Sequence, residues 1–182
     1  MASLTKFLEV KLRLKVNRSK RAVARPWKRS FLGYTVTMER KTRLKPAASS
    51  VKRAKDRIRQ ITQQGRGRNI QQVIQEVNRY TRGWLNYFKL STVKQVFKEL
   101  DAWLRRRLRK LLWEQWKQPK TRLKKLVALG VNPVKAKKAT ATGLGAWWNA
   151  GASPMHVAVN DGLLKEWGLL NLFDYLQTRQ VT

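Results

Sequence analysis

IQQVIQEVNRYTRGWLNYFKLSTVKQVFKELDAWLRRRLRKLLWEQWK, residues 70–117, decides the fold class. Ile70, Val73, Ile74, Val77, Tyr80, Trp84 and Phe88 recur at three- and four-residue spacing, the stripe of one amphipathic helix, with Asn69 in place to cap it. Gly83 interrupts that helix at a cost of about 1 kcal/mol relative to Ala, which implies close packing or a ligand backbone nearby. A longer helix follows, from about 93 to 116, with Val96, Phe97, Leu100, Trp103, Leu104, Leu108, Leu111 and Leu112 inward. Arg105, Arg106, Arg107, Arg109 and Lys110 are expected to project mostly outward, and Pro119 to stop the helix.

The helical period begins upstream. Val51, Ala54, Ile58 and Ile61 share a face behind Ser49 and Ser50, which read as a cap, and Gly65 reads as the end. GRGR (65–68) is a positively charged loop. Before it, Leu8, Val10, Leu12, Leu14 and Val16 alternate with polar residues, the pattern of a half-buried strand, and Asn17, Arg18 and Ser19 read as a turn. FLGYTVTM (31–38) reads as a second strand, with Gly33 marking a bulge or a close backbone approach. The basic stretch 39–48 is the one linker-like segment. Downstream, a short basic helix from Thr121 to Leu129 ends at Gly130, and Asn132-Pro133 opens another. Two short apolar helices follow, one starting at Ser153-Pro154 and one near Leu169. The expectation is a mainly α protein, with a short hairpin-like β segment ahead of a basic helical bundle.

Charge narrows the function. The 182 residues hold 41 Lys and Arg against 10 Asp and Glu, a net charge of +31. Nearly all of it lies before residue 139, so a strongly cationic body precedes a near-neutral, Trp-containing end. A compact body of that charge needs a polyanion, and nucleic acid rewards clustered cations through counterion release. With 42% apolar residues and 8 Trp the chain is no disordered basic tail. The absence of Cys excludes disulfides, thiolate catalysis and thiolate-bound zinc. Charges interrupt every apolar run of MASLTKFLEVKLRLKV, which therefore reads as neither signal peptide nor membrane span, and a cytoplasmic protein without a membrane partner is expected.

No residues suggest catalysis, a metal or a cofactor. His156 has no second His beside it and reads as structural; Gly143-Leu144-Gly145 is half a dinucleotide fingerprint without its strand. Glu99 and Asp101 lie two apart and point to different helix faces. The candidates are instead for nucleic-acid contact: Lys52, Arg53 and Arg57 on the first helix, with Lys55 and Arg59 beside them; Arg66 and Arg68 in the loop; Arg82, Asn86 and Tyr87; Arg105, Arg106, Arg107, Arg109 and Lys110; and Lys124, beside Lys120, Arg122 and Lys125. Few acids are interspersed, unlike an ordinary soluble surface. Trp84 and Phe88 read as core, as do Trp147, Trp148 and Trp167, while Trp113 and Trp116 fit either role.

These residues resemble the group II intron reverse transcriptases. Lys11, Leu12, Leu14, Asn17 and Lys20 match the K-L-x-L-x-x-N-x-x-K pattern at the end of that family's palm, and Phe31, Leu32, Gly33 and Tyr34 its F-L-G-[FY] strand. Residues 70–117 are similar to the maturase-specific region, also called the thumb or domain X. Val77, Asn78, Gly83, Trp84, Asn86, Tyr87 and Phe88 follow its L-N-x-x-x-x-G-W-x-N-Y-[FY] signature, with Val77 in place of Leu. Asp101, Trp103, Leu104, Arg107, Leu108 and Arg109 follow its D-x-W-[IL]-x-x-R-[IL]-R run. The resemblance implies a palm remnant over 1–45, the maturase-specific helical domain over 46–130 and a C-terminal helical extension over 131–182. The family's catalytic Y-[AV]-D-D lies upstream of the strand where this sequence begins, so no RNA-directed DNA polymerase site is implied, nor a His-Asn-His endonuclease. What the family implies is a surface that binds intron RNA and assists its splicing-active folding. The rival expectation is a non-functional remnant, or a split subunit that acts with a separate fingers-and-palm fragment. A general basic DNA- or ribosome-binding protein is the third.

Overall fold

The computed structural model describes residues 2–15, 24–65 and 67–180. It is mainly α, with a two-stranded antiparallel hairpin ahead of a helical bundle. The turn expected at Asn17–Ser19, together with Val16, Lys20 and Arg66, lies outside the described residues.

The expected N-terminal strand is replaced by helix. α1 (Ala2–Lys6) continues into a π-helical turn over Phe7–Lys11. An alternating segment becomes a strand only where a partner takes up its backbone groups, whereas a helix satisfies them locally. The hairpin is closed by nearer residues, so Val10, Leu12 and Leu14 of that segment stay exposed.

A 3-10 turn, Pro26–Lys28, leads to β1 (Tyr34–Val36), which pairs with β2 (Leu44–Pro46) in the register Tyr34–Pro46, Thr35–Lys45, Val36–Leu44. The stretch expected to be a linker thus supplies the second strand. Thr37 closes the turn twice, its N–H donating to the Arg43 carbonyl and its Oγ1 accepting from the Arg43 N–H, both at 2.9 Å.

α2 (Ala48–Gln64) starts behind Ala47 rather than behind a serine cap. Ser50 serves elsewhere, its hydroxyl donating to the Gly33 carbonyl at 3.0 Å, to which the Ala47 N–H also donates at 2.8 Å. Gly33 has φ +77°, and a Cβ there would lie 2.9 Å from Ser50 Oγ and 3.3 Å from Phe88 Cζ, which is the close approach its position suggested. The hairpin is further held to α3 (Ile70–Tyr87) by the Tyr87 hydroxyl donating to Leu32 O at 2.7 Å and by the Tyr34 hydroxyl donating to Tyr87 O. The rings of Tyr34 and Phe88 meet at 4.8 Å.

α3 is capped by Asn69, whose side chain accepts from Gln71 N–H. α4 (Gln95–Gln115) is the central element, with Phe97, Leu100, Leu104 and Leu108 essentially inaccessible. Pro119 opens α5 (Pro119–Ala128) from its first turn, where its missing N–H costs no bond. α6 (Pro133–Ala141) starts at the expected Asn132-Pro133, with Asn132 Oδ1 accepting from Val134 N–H. Four short helices follow: α7 (Ala146–Ala150), α8 (Ser153–Ala158), α9 (Asp161–Glu166) and α10 (Leu172–Gln180). One apolar cluster runs from Ile58 through Val77, Leu108 and Leu126 to Met155 and Leu176, so the C-terminal helices share the core of the bundle.

Two buried polar side chains fasten that C-terminal part. Asn78 donates to Gly168 O at 2.7 Å and accepts from Leu170 N–H at 3.0 Å. Asp101 accepts from Leu172 N–H at 3.2 Å and pairs with Arg105. The connection between α9 and α10 leaves backbone groups without helical partners, and these two side chains pair them.

Candidate nucleic-acid interface

The basic run of α4 is turned largely inward, which corrects the expectation that it projects outward. Arg109 is 4% exposed and donates to Val159 O at 2.8 Å and to Asp161 at 3.1 Å. Arg105 bridges Asp101 and Asp161. Arg106 stacks over Trp147 at 4.4 Å and donates to its carbonyl at 2.9 Å. Arg107 donates to Thr62 Oγ1 at 2.8 Å, tying α4 to α2, and Lys110 pairs with Glu114 along its own helix. Burial depresses the Arg109 pKa below its ordinary value, and raises that of Asp101 above the usual aspartate range. The physical reason is geometric: α2, α7 and α10 pack along α4 and Asp161 of α9 reaches it, so the guanidinium groups of Arg105, Arg106, Arg107 and Arg109 meet neighbouring elements. Only long side chains with several donors can reach the carbonyls and carboxylates there.

Other cations gather elsewhere, and of these Arg59 is paired with Asp56 on its own helix. Between the hairpin and the first turns of α2 runs a groove of about 720 Å³, lined by Lys28, Arg29, Lys45, Lys52, Lys55 and Arg59 against one acid, Glu99. Glu99 already accepts from Gln95 at 3.1 Å. Lys55 and Arg59 cover the Trp103 ring at 5.4 and 5.3 Å, and Trp27 forms part of the wall. Such a concave surface with one sign of charge concentrates field and fits a phosphate backbone. Lys52 was foreseen as a contact residue, and Lys55 and Arg59 as its neighbours on α2. Trp27, Lys28, Arg29 and Lys45 were not: they come from two segments that only the hairpin brings beside α2. The RPWKR run at 25–29 was the available signal.

The other expected contacts scatter around the molecule. Arg53 and Arg57 are exposed on α2, bonded to Ser50 Oγ and Gln60. Arg68 pairs with Glu76 at 2.7 Å. Arg82 and Lys124 are exposed on α3 and α5. Asn86 accepts from the Tyr175 hydroxyl at 3.2 Å, and Tyr87 is the bolt of the hairpin, half of its surface still open. Phe88 is buried and Trp84 packs on the core, as expected, and Trp113 and Trp116 prove to be core too. Trp147 and Trp148 are exposed, against the expectation of core, while Trp167 is partly buried on the cluster.

His156 stands near the inner arginines. Its side chain is largely exposed, and partial desolvation first, then the charge of Arg109 and more weakly that of Arg106, lower its pKa against the opposing pull of Asp161. Among the described residues no group of three or more acidic or histidine side chains converges to hold a metal, and no helix is long and apolar enough to cross a membrane.

Residues 51–128 match the group II intron maturase-specific domain. No curated protein matches the chain. The match starts within α2 and ends with α5, and so includes the helical wall of the groove but not the hairpin wall. It covers Asn78, Asp101 and the whole of α4.

Proposed function

We propose that this chain, which carries a group II intron maturase-type domain over residues 51–128, binds intron RNA and assists its folding into the splicing-active form. The observation that carries the reading is the groove between the hairpin and α2, where Lys28, Arg29, Lys45, Lys52 and Lys55 face one acid, Glu99, and a sixth cation, Arg59, is shared with Asp56. RNA tertiary folding is opposed by bringing phosphates together, and a rigid cationic groove offsets that repulsion at one defined place. The matched region is the maturase-specific one and not a catalytic domain in itself, and the proposed action needs neither cofactor nor metal of the protein. The contact set is the groove residues with the exposed Lys52, Arg53, Arg57, Arg82 and Lys124; the α4 arginines hold the bundle behind it. In this reading residues 1–45, 46–130 and 131–182 correspond to palm end, maturase-specific domain and extension, working in the cytoplasm.

The test is binding of the purified chain to a structured group II intron RNA, to tRNA and to duplex DNA of equal length, over a salt series. A preference for the intron that survives at ~0.2 M salt is the expected result. Equal affinities that collapse together as salt rises would leave only general attraction between cation and polyanion, and would overturn the proposal. Acceleration of intron self-splicing at limiting magnesium would support the folding role directly.

A further inference from the structure

Another pocket, of about 500 Å³, opens in the C-terminal part of the fold, between α6 and the α7–α8 pair. Val131 forms its floor, Trp148, Pro154 and Val157 its walls, and Lys135 and Lys138 its rim. No carboxylate lines it, and neither lysine forms an ion pair among the described residues. It lies beyond the segment that matches the maturase-specific family.

Trp148 is 51% exposed, although a core of ample size lies beside it. It is held out there by its neighbours on the chain. Arg106 clamps Trp147 by ring and carbonyl. Asn149 is 1% exposed and donates to Leu144 O at 2.8 Å and Gly145 O at 3.2 Å, while its Oδ1 accepts from Thr142. With the residues on either side fixed, the indole is a preorganised flat surface. A wall of that kind under a pair of cations fits one chemistry closely: a planar base against the ring, and its flanking phosphates near the ammonium groups. A duplex cannot present a base face in this way, so the ligand is unpaired.

We infer that this pocket takes an unpaired nucleotide of the bound RNA, looped or bulged out of its helix, stacked on Trp148 and held through its phosphates by Lys135 and Lys138. The inference rests on the RNA-binding reading above and adds to it a second, structure-selective contact. Charge decides against an apolar peptide as occupant: the rim is cationic and no carboxylate lines the pocket.

The experiment titrates the full chain with two labelled RNA hairpins at ~0.2 M salt, identical except for one bulged nucleotide. Base–aromatic stacking changes affinity by roughly fivefold to more than a hundredfold, so the bulged hairpin should bind about tenfold tighter. Trp148→Leu should abolish that preference while leaving affinity for the plain hairpin, and Trp148→Phe should keep most of it. Lys135→Gln with Lys138→Gln should weaken the bulged hairpin more than the plain one. Equal binding of the two hairpins by the native chain would overturn the stacking site and leave the RNA-binding reading standing. Salt-resistant binding of neither would overturn both. A bulge preference unchanged in Trp148→Leu, or loss of the preference in Trp148→Phe with the fold intact by circular dichroism, would also sink the assignment. So would displacement of the bulged hairpin by a short proline-rich peptide but not by a single-stranded oligonucleotide.

Discussion

Replacing Arg109 by Met separates a fold-holding arginine from an RNA-binding one. The native guanidinium is nearly inaccessible and donates to Val159 O at 2.8 Å, a carbonyl of a residue that is itself fully buried. Its second partner, Asp161, keeps 60% of its side chain in water and stays solvated when the arginine is gone. The loss is therefore mainly the charge-assisted bond to a carbonyl that water cannot reach, about 1.5–3 kcal/mol. Against it stand the relief of guanidinium desolvation and the packing retained by the Met stem. The net expectation is a destabilisation of about 2 kcal/mol. In a chain of this length that lowers Tm by roughly 4–8 °C. Urea unfolding followed by Trp fluorescence gives the free energy, and a thermal scan gives Tm. His156 supplies an internal check, because it is the one histidine of the chain and titrates alone by NMR. Its midpoint lies below the ordinary imidazole value of about 6.5, and it should rise in Arg109→Met, since a neighbouring positive charge is removed. A depressed His contributes stability that is present above that ordinary value and is lost as pH falls through the window below it. The variant should narrow this window. Affinity for intron RNA and its salt slope should not change. Native stability together with weakened, less salt-sensitive RNA binding would refute the reasoning and return Arg109 to the RNA face.

Gly33→Ala should detach the hairpin, because a Cβ meets Ser50 Oγ at 2.9 Å in a left-handed backbone; the cost is about 2 kcal/mol, read by urea unfolding and by faster exchange of the Ala47 amide. Asn78→Ala leaves Gly168 O and Leu170 N–H without their partner and, because both are only partly buried, should cost about 1–2 kcal/mol, with exchange accelerated at Leu170. Desolvation holds the Asp101 pKa above its unfolded value, so the native state takes up a proton first and stability falls as pH rises through the window just above the ordinary aspartate value. Asp101→Asn, which keeps an acceptor for Leu172 N–H, should flatten that part of the curve of urea midpoint against pH.

The long helices were legible because their apolar spacing extends over many turns: α3 and α4 begin and end within about two residues of where the pattern puts them. The N-terminal segment was not. Alternation at Leu8, Val10, Leu12 and Leu14 states what a strand would bury, but not whether a partner is in reach, and the partner of β1 came instead from 44–46. The arginine-rich run of α4 misled for a related reason. Residue type shows that Arg105 to Lys110 are cationic, but only the packing of α7, α9 and α10 shows that Asp161, Trp147 O and Val159 O await them. Asn78 and Asp101 belong to the signature that carried the family resemblance, and both pair backbone of the 168–172 segment. Much of that signature therefore describes how the bundle holds its C-terminal helices. The groove escaped because its two walls are separated in sequence, and no single window of the chain contains it.

The central claim is that the groove between the hairpin and α2 carries the RNA contact. It is tested most directly by the dependence of intron-RNA affinity on salt, compared between the native chain and the variant Lys28→Gln, Lys45→Gln, Lys52→Gln, Lys55→Gln. Each phosphate contact contributes roughly 0.7–0.9 to the slope of log K against log salt, so losing four should flatten it by about 3 with the fold intact. A slope unchanged in that variant would contradict the account.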